Sequence, residues 1–519
     1  MIPRACAGGC FALWLLIASA SSTAFAQNEV LASVSGGKIR GLTNGTGAIF
    51  LGIPFAQPPT GPLRWRPPQP VQPWAGVRDA TSPSRDALQP DDGAWNRPMI
   101  ANASEDCLYL NVVTPEWPAS GKLPVIVFVH GGGNFAGGAW EHLAKGATLQ
   151  NAGVVVVTVN YRLGVFGFFS HPGLSAESPE HASGNYGLQD LVAALRWVKA
   201  NIAQFGGDSG NVTMMGQSAG ALDICVLLAS DEARGLISKA IVESAPGVGA
   251  PDTQTLSQAE ASGTALAESL GCANIGALRS LDAQALLAGA EKAHMRGRIN
   301  VDGWILKEPP ARTYASGREA KVPMLIGTNA RESSFKGTAD ELRNLVSARY
   351  GPRAHAALDL YGLADDAAAP ADPVFGDAGA QYLTDTSFRS PTSLVALWHS
   401  SAGANVWLYL FSRTPKGREA FGASHSSELG YVFGEMASPP SGVTYGPEDK
   451  RLSAEMQRYW ANFAATGDPN GEGLVSWPAY SASDRAFLEL RERQDRARKD
   501  LRQPFLDLFI EDYQAKLNP

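Results

Sequence analysis

The sequence is poor in cysteine. Of five among 519 residues, Cys6 and Cys10 lie in an apolar N-terminal leader, which leaves Cys107, Cys225 and Cys272. No two are spaced C-x-x-C, and none clusters with histidine, so zinc sites of that kind are excluded. An odd number allows at most one internal disulfide, and three buried thiols is the plainest reading. Long apolar runs are also missing: beyond the leader no stretch is long enough to span a bilayer, so stable membrane insertion is not expected. No segment repeats at a fixed period, and no low-complexity linker divides the chain. Positive charge is in deficit, with 43 Lys and Arg against 50 Asp and Glu and a formal net charge of −7. That balance argues against a nucleic-acid partner.

The leader, MIPRACAGGCFALWLLIASASSTAFAQ, has a lone Arg4, a short apolar core around Phe11 to Ala18, and Ala24-Phe25-Ala26 before Gln27. A positive start, a core too short for a span and an A-x-A site predict a secretory signal over residues 1–26, cleaved after Ala26. The expected destination is the periplasm or the exterior, with one domain over residues 27–519.

What is present is globular: 45% of residues are hydrophobic and 18% charged. Near-continuous apolar runs predict strands at 125–129, 154–159, 212–215, 240–243, 322–327 and 406–412. Such runs suit a parallel sheet covered on both faces. Between the second and third, LQDLVAALRWVKANIAQF carries Leu191, Leu195, Val198, Ile202 and Phe205 at helical spacing. Strand, helix, strand is a βαβ unit, and the fold class is α/β. Residues 364–377, rich in Ala, Asp and Pro, read as an exposed loop within the domain.

Gly216-Gln217-Ser218-Ala219-Gly220 follows the strand at 212–215 and precedes the helix-prone ALDICVLLA. Strand, tight turn and helix is the setting of a nucleophile elbow, whose glycines make room for a strained serine. A second glycine run, His130-Gly131-Gly132-Gly133, directly follows the strand at 125–129. It lacks the Lys-Ser/Thr of a phosphate-binding P-loop and the spacing of G-x-G-x-x-G. Backbone N–H groups of Gly132, Gly133 and Ala219 are the expected oxyanion donors, each typically worth about 3–4 kcal/mol in the transition state.

The ordered stretches FLGIPFAQPPTGPLRW, SEDCLYLNV, VHGGGN, NYRLGVFGF, GNYGLQDL, FGGDSGNVTMMGQSAG, IGTNARES, SHSSELGYVFGE and YWANFAATGDPN make the chain resemble the type-B carboxylesterases. These are α/β-hydrolases that include cholinesterases and para-nitrobenzyl esterases. The resemblance implies a mixed, mostly parallel sheet flanked by helices, with a gorge at its carboxyl edge. It implies a catalytic triad of Ser218, Glu332 (in Gly327-Thr328-Asn329-Ala330-Arg331-Glu332) and His425 (in Gly422-Ala423-Ser424-His425-Ser426-Ser427-Glu428). His425 Nδ1 is expected to face Glu332 and Nε2 to face Ser218, with Asp385 the competing acid. Arg331 replaces an acidic residue usual in the family, and Gln217 stands where many relatives have glutamate, which lowers the attraction for a cationic substrate. Among the other histidines, His130 is expected to shape the oxyanion loop. His142, His171, His181, His294, His355 and His399 are expected at surface or core positions.

Further implications of the resemblance are buried ion pairs Arg64–Glu105 and Arg162–Asp190. Phe135, Phe335 and Tyr431 are candidates for either gorge wall or core. The family's two disulfides are expected to be absent, because Ala87 and Ala277 stand where partner cysteines belong. The activity implied is hydrolysis of a small-molecule carboxylic ester through an acyl-enzyme, without metal or organic cofactor. Two alternatives remain: an esterase for bulky natural esters of feruloyl or mycotoxin type, and a non-catalytic cholinesterase-like binding protein.

Overall fold

The computed structural model describes residues 28–43, 45–247, 253–364 and 370–517. The leader, and with it the proposed cleavage site, lies outside them. Thirteen strands form one sheet: β1 Asn28–Val34, β2 Gly37–Thr43, β3 Ala48–Pro54, β4 Val77–Asp79, β5 Tyr109–Thr114, β6 Leu123–Val129, β7 Val155–Val159, β8 Gly207–Gln217, β9 Lys239–Glu243, β10 Met324–Asn329, β11 Val406–Phe411, β12 Ala486–Leu490 and β13 Arg496–Lys499. Their spatial order is β1-β2-β3-β5-β7-β6-β8-β9-β10-β11-β12-β13, with β4 beside β2. From β7 to β12 every pairing is parallel. The path through β1, β2, β3, β5 and β7, and the last pair β12–β13, are antiparallel.

Each apolar run singled out in the sequence is a strand of the parallel section, with ends shifted by a few residues. β7, β9, β10 and β11 are buried along their whole length, as expected where helices cover both faces. The predicted helix is α1, Tyr186–Asn201, continued by a 3-10 turn over Ile202–Phe205 that stops at Gly206 with φ +80°. Its apolar stripe, Leu188, Leu191, Leu195 and Val198, is at most 2% exposed. α2, Ala219–Leu228, is apolar nearly all round and correspondingly buried.

Two bidentate ion pairs lock loops to this frame. Arg64 Nε and Nη2 donate to Glu105 at 2.6 Å each, and Arg162 Nε and Nη2 donate to Asp190 at 2.8 and 2.7 Å. Removing one partner of such a pair leaves a buried charge and typically costs about 3–5 kcal/mol. Cys107 and Cys225 are buried thiols and Cys272 is partly exposed. Residues 365–369 of the Ala/Asp/Pro-rich loop lie outside the described residues. No helix among the described residues is long and apolar enough to cross a membrane.

Candidate active site

The parallel strands present their carboxyl ends at one edge, and four of them deliver the candidate residues there: β6 leads into His130–Gly133, β8 into Ser218, β10 into Glu332, and β11 toward the loop carrying His425. Ser218 sits between β8 and α2 at φ +56°, ψ −124°. That is a region a non-glycine residue enters only at a cost of about 1–3 kcal/mol. The turn is held by Ser218 N–H donating to Glu243 O at 2.9 Å and by the flanking glycines. A Cβ on Gly220 would lie 2.2 Å from Val129 O, and one on Gly216 would lie 2.6 Å from the Gly220 carbonyl carbon. Close packing of β6, β8 and α2 therefore requires both glycines of G-x-S-x-G.

The glycine loop that follows β6 is equally tight. Gly132 and Gly133 have φ +101° and +63°, and a Cβ on Gly132 would lie 2.0 Å from Ala136 O. A Cβ on Gly131 would come within 2.9 Å of Ser218 Cβ, so the loop lies directly against the serine. Gly132 and Gly133 donate no hydrogen bond within the described residues. Ala219 opens α2, where N–H groups have no intrahelical acceptor. His130 braces the loop from behind: it stacks on Tyr161 at 4.7 Å, its Nδ1 is 2.8 Å from Gly131 O, and burial pushes it down to about 4. It is therefore neutral at ordinary pH. Tyr161 Oη shares its single proton between His130 O and Asn134 Oδ1, at 3.1 and 3.0 Å, tying the loop to the core.

His425 Nδ1 lies 2.7 Å from Glu332 Oε2. The other oxygen, Oε1, accepts from Ser244 Oγ and from Asn329 N–H, both at 2.6 Å, so the carboxylate is fixed from both sides. Asp385 is occupied elsewhere: Arg502 donates to it at 2.7 Å and Arg389 forms a shorter contact. His425 Nε2 is 3.4 Å from Gln217 Nε2. No hydrogen bond joins it to Ser218 among the described residues, though both line the same cavity. Such contacts are often loose without substrate and tighten once a reacting group is bound. Burial drags the His425 imidazole down, but the hydrogen bond to Glu332 and the charges of Glu332 and Glu428 more than offset this, so its net shift is upward from 6.5.

Below this pair lie two further buried acids that the sequence did not single out. Glu243 Oε1 accepts from Trp460 Nε1 at 3.0 Å, and Glu428 accepts from Asn329 Nδ2 in a short contact. Burial, then the charge of Glu332, pushes Glu428 up to about 7; burial, then Glu428, pushes Glu243 well above its ordinary value.

Ser218, His425 and the His130–Gly133 loop open into one cavity of about 590 Å³. Of the three aromatic candidates, Phe135 lines it. Tyr431 is core instead, with its Oη donating to Asp449 at 2.6 Å, and Phe335 packs in a satellite cluster. Trp95, His142 and Tyr445 also line the cavity, and Phe388 packs 4.8 Å from the His425 ring. His142 is buried against Glu435, 2.5 Å from Nδ1 to Oε1. No local motif marks these residues as part of the site. No cluster of His, Cys, Asp and Glu among the described residues is arranged to hold a metal ion.

The sequence model of the Carboxylesterase family matches residues 27–509. The chain belongs to the carboxylesterase family. It is 38% identical over 456 residues to the fumonisin B1 esterase of Sphingopyxis macrogoltabida, covering 83% of this chain and 81% of that protein. It is 36% identical over 477 residues to the para-nitrobenzyl esterase of Bacillus subtilis (strain 168), covering 88% and 93%. Among solved structures, a thermophilic PNB esterase superposes with a TM-score of 0.80 at 33% identity, over 92% of this chain and 99% of that one. This carboxylesterase thus has the α/β-hydrolase fold and is a serine-type carboxylic ester hydrolase acting on small esters.

Proposed function

We propose that Ser218, His425 and Glu332 are the catalytic triad of this hydrolase. The observation that carries the reading is the 2.7 Å contact between His425 Nδ1 and Glu332 Oε2, with His425 opening onto the same cavity as Ser218. With Nδ1–H donated to Glu332, the lone pair on Nε2 is free to accept a proton. Ser218 Oγ attacks the ester carbonyl as Nε2 takes its proton. The N–H groups of Gly132, Gly133 and Ala219 hold the oxyanion. The imidazolium then protonates the departing alcohol, leaving an acyl-serine. Water attacks this acyl group with His425 again as base, and Ser218 regains its proton as the acid is released.

Ser218→Ala removes the nucleophile from an open site and leaves the fold intact. Ester turnover and covalent labelling by an organophosphonate are both expected to vanish, with an unchanged thermal midpoint. Turnover or labelling persisting in the variant overturns the assignment. A burst of alcohol in wild type on mixing with an activated ester separates catalysis from mere binding. We also propose that residues 1–26 are an export signal and that residues 27–519 act as one domain in the periplasm or outside the cell. The A-x-A site and the family match starting at residue 27 support this reading.

A further inference from the structure

The charges on the cavity wall are unevenly matched. Its acids are engaged: Glu141 by Lys145 at 2.8 Å, Glu435 by His142 at 2.5 Å and Lys145 at 3.9 Å, and Asp92 by Arg296 at 3.6 Å. Arg418, on the same wall, joins no ion pair among the described residues. Its guanidinium is propped on the Phe421 ring at 5.1 Å, in the loop that leads to His425. Tyr445 lines the cavity beside it. Burial, with the charges of Glu435 and Asp449, pushes the Tyr445 phenol up to about 12, and Arg418 is the neighbouring cation that pulls it back. At neutral pH Tyr445 is therefore an O–H donor. Below them, Gln217 brings an amide to the cavity floor in place of a charge. An unpaired guanidinium and a phenol O–H together match the two oxygens of a carboxylate.

We infer that Arg418 and Tyr445 form a carboxylate-binding subsite, and that the preferred substrates are esters bearing a second, ionised carboxyl group. This rests on the proposal that the cavity over Ser218 takes the ester. The subsite leaves the ester chemistry unchanged. Its role is to orient the substrate by a charge remote from the scissile bond, so that remote binding energy raises kcat/KM.

The test compares two matched pairs in the mature enzyme. One pair is the para-nitrophenyl esters of hydrogen adipate and of hexanoate, differing in the acyl end. The other is para-carboxyphenyl butyrate and para-tolyl butyrate, differing in the alcohol. The readout is the charged-to-neutral ratio of kcat/KM in wild type, Arg418→Gln, Arg418→Lys and Tyr445→Phe. In at least one pair the wild-type ratio is expected to exceed one. Arg418→Gln lowers that ratio about 10- to 100-fold, the usual worth of a hydrogen bond to a charged group. Arg418→Lys restores part of the loss, because the charge remains while the planar fork is gone. Tyr445→Phe lowers the ratio less than Arg418→Gln. Ratios at or below one in both pairs, or ratios that Arg418→Gln leaves unchanged, overturn the subsite while turnover that depends on Ser218 leaves the triad standing. Wild-type enzyme that hydrolyses none of the four esters overturns the proposed function with it.

Discussion

His425 faces two opposed influences. Burial favours the neutral ring, whereas Glu332 at 2.7 Å and Glu428 behind it favour the cation, and the cation gains. A base must be neutral to accept the serine proton, so kcat/KM is expected to fall on the acid side with an apparent pKa above the ordinary 6.5. The check is a pH profile of kcat/KM; an acid limb centred at or below 6.5 means that burial prevails. Stability runs the other way. A folded-state pKa raised above the unfolded value adds stability that is complete below the unfolded value and lost as pH rises through the folded one. The protein therefore gains activity over the pH range in which His425 ceases to stabilise it. The neighbouring Gln217 amide adds no charge to this balance, where a glutamate would raise the limb further.

The nucleophile elbow is an element in which the backbone, more than the side chain, sets the requirement. Gly220→Ala places a Cβ 2.2 Å from Val129 O, a main-chain atom of β6 that cannot yield without moving the strand. The variant is expected to lose about 1–3 kcal/mol of stability, the usual cost of overpacking, with a lower thermal midpoint and impaired turnover because β6 also carries the oxyanion loop. A variant with wild-type midpoint and turnover refutes this account. This element was legible in the sequence because the turn chemistry is local: a β-branched run, G-x-S-x-G and a helix-forming run stand in order. The buried parallel strands were legible for the same reason, being continuous in apolar residues. β1 and β13 were not, since β1 exposes the apolar Leu31 while burying the small Ala32, and RARK of β13 is wholly exposed. Glu332 and His425 lie on loops of unremarkable composition, and only the family resemblance picked them out. Glu243, Phe388, Arg418 and Tyr445 left no local trace, because their significance comes from what the folded chain brings beside them.

At the scale of the whole molecule, stability comes from packing rather than cross-links. Cys107 and Cys225 are buried thiols, and Cys272 lies at the margin of a separate apolar cluster. A disulfide typically contributes about 2–4 kcal/mol, which a core of this extent can supply, since large domains bury a greater fraction of their surface. On the proposed export, the mature chain is expected to begin at Gln27 and to titrate three free thiols after denaturation without reductant. N-terminal sequencing and thiol titration check both; a retained leader refutes cleavage after Ala26, and one free thiol reveals a disulfide between the other two. The sheet order has a consequence in time as well as in space. β8, β10 and β11 follow β6 in the chain at wide intervals, yet all feed one edge, and parallel neighbours separated by crossover segments pair slowly. During refolding, helices and local turns are expected to form before this edge exists. Regained ester turnover is thus expected to serve as a clock for the closing of the parallel section, with compact chains silent until that edge is complete.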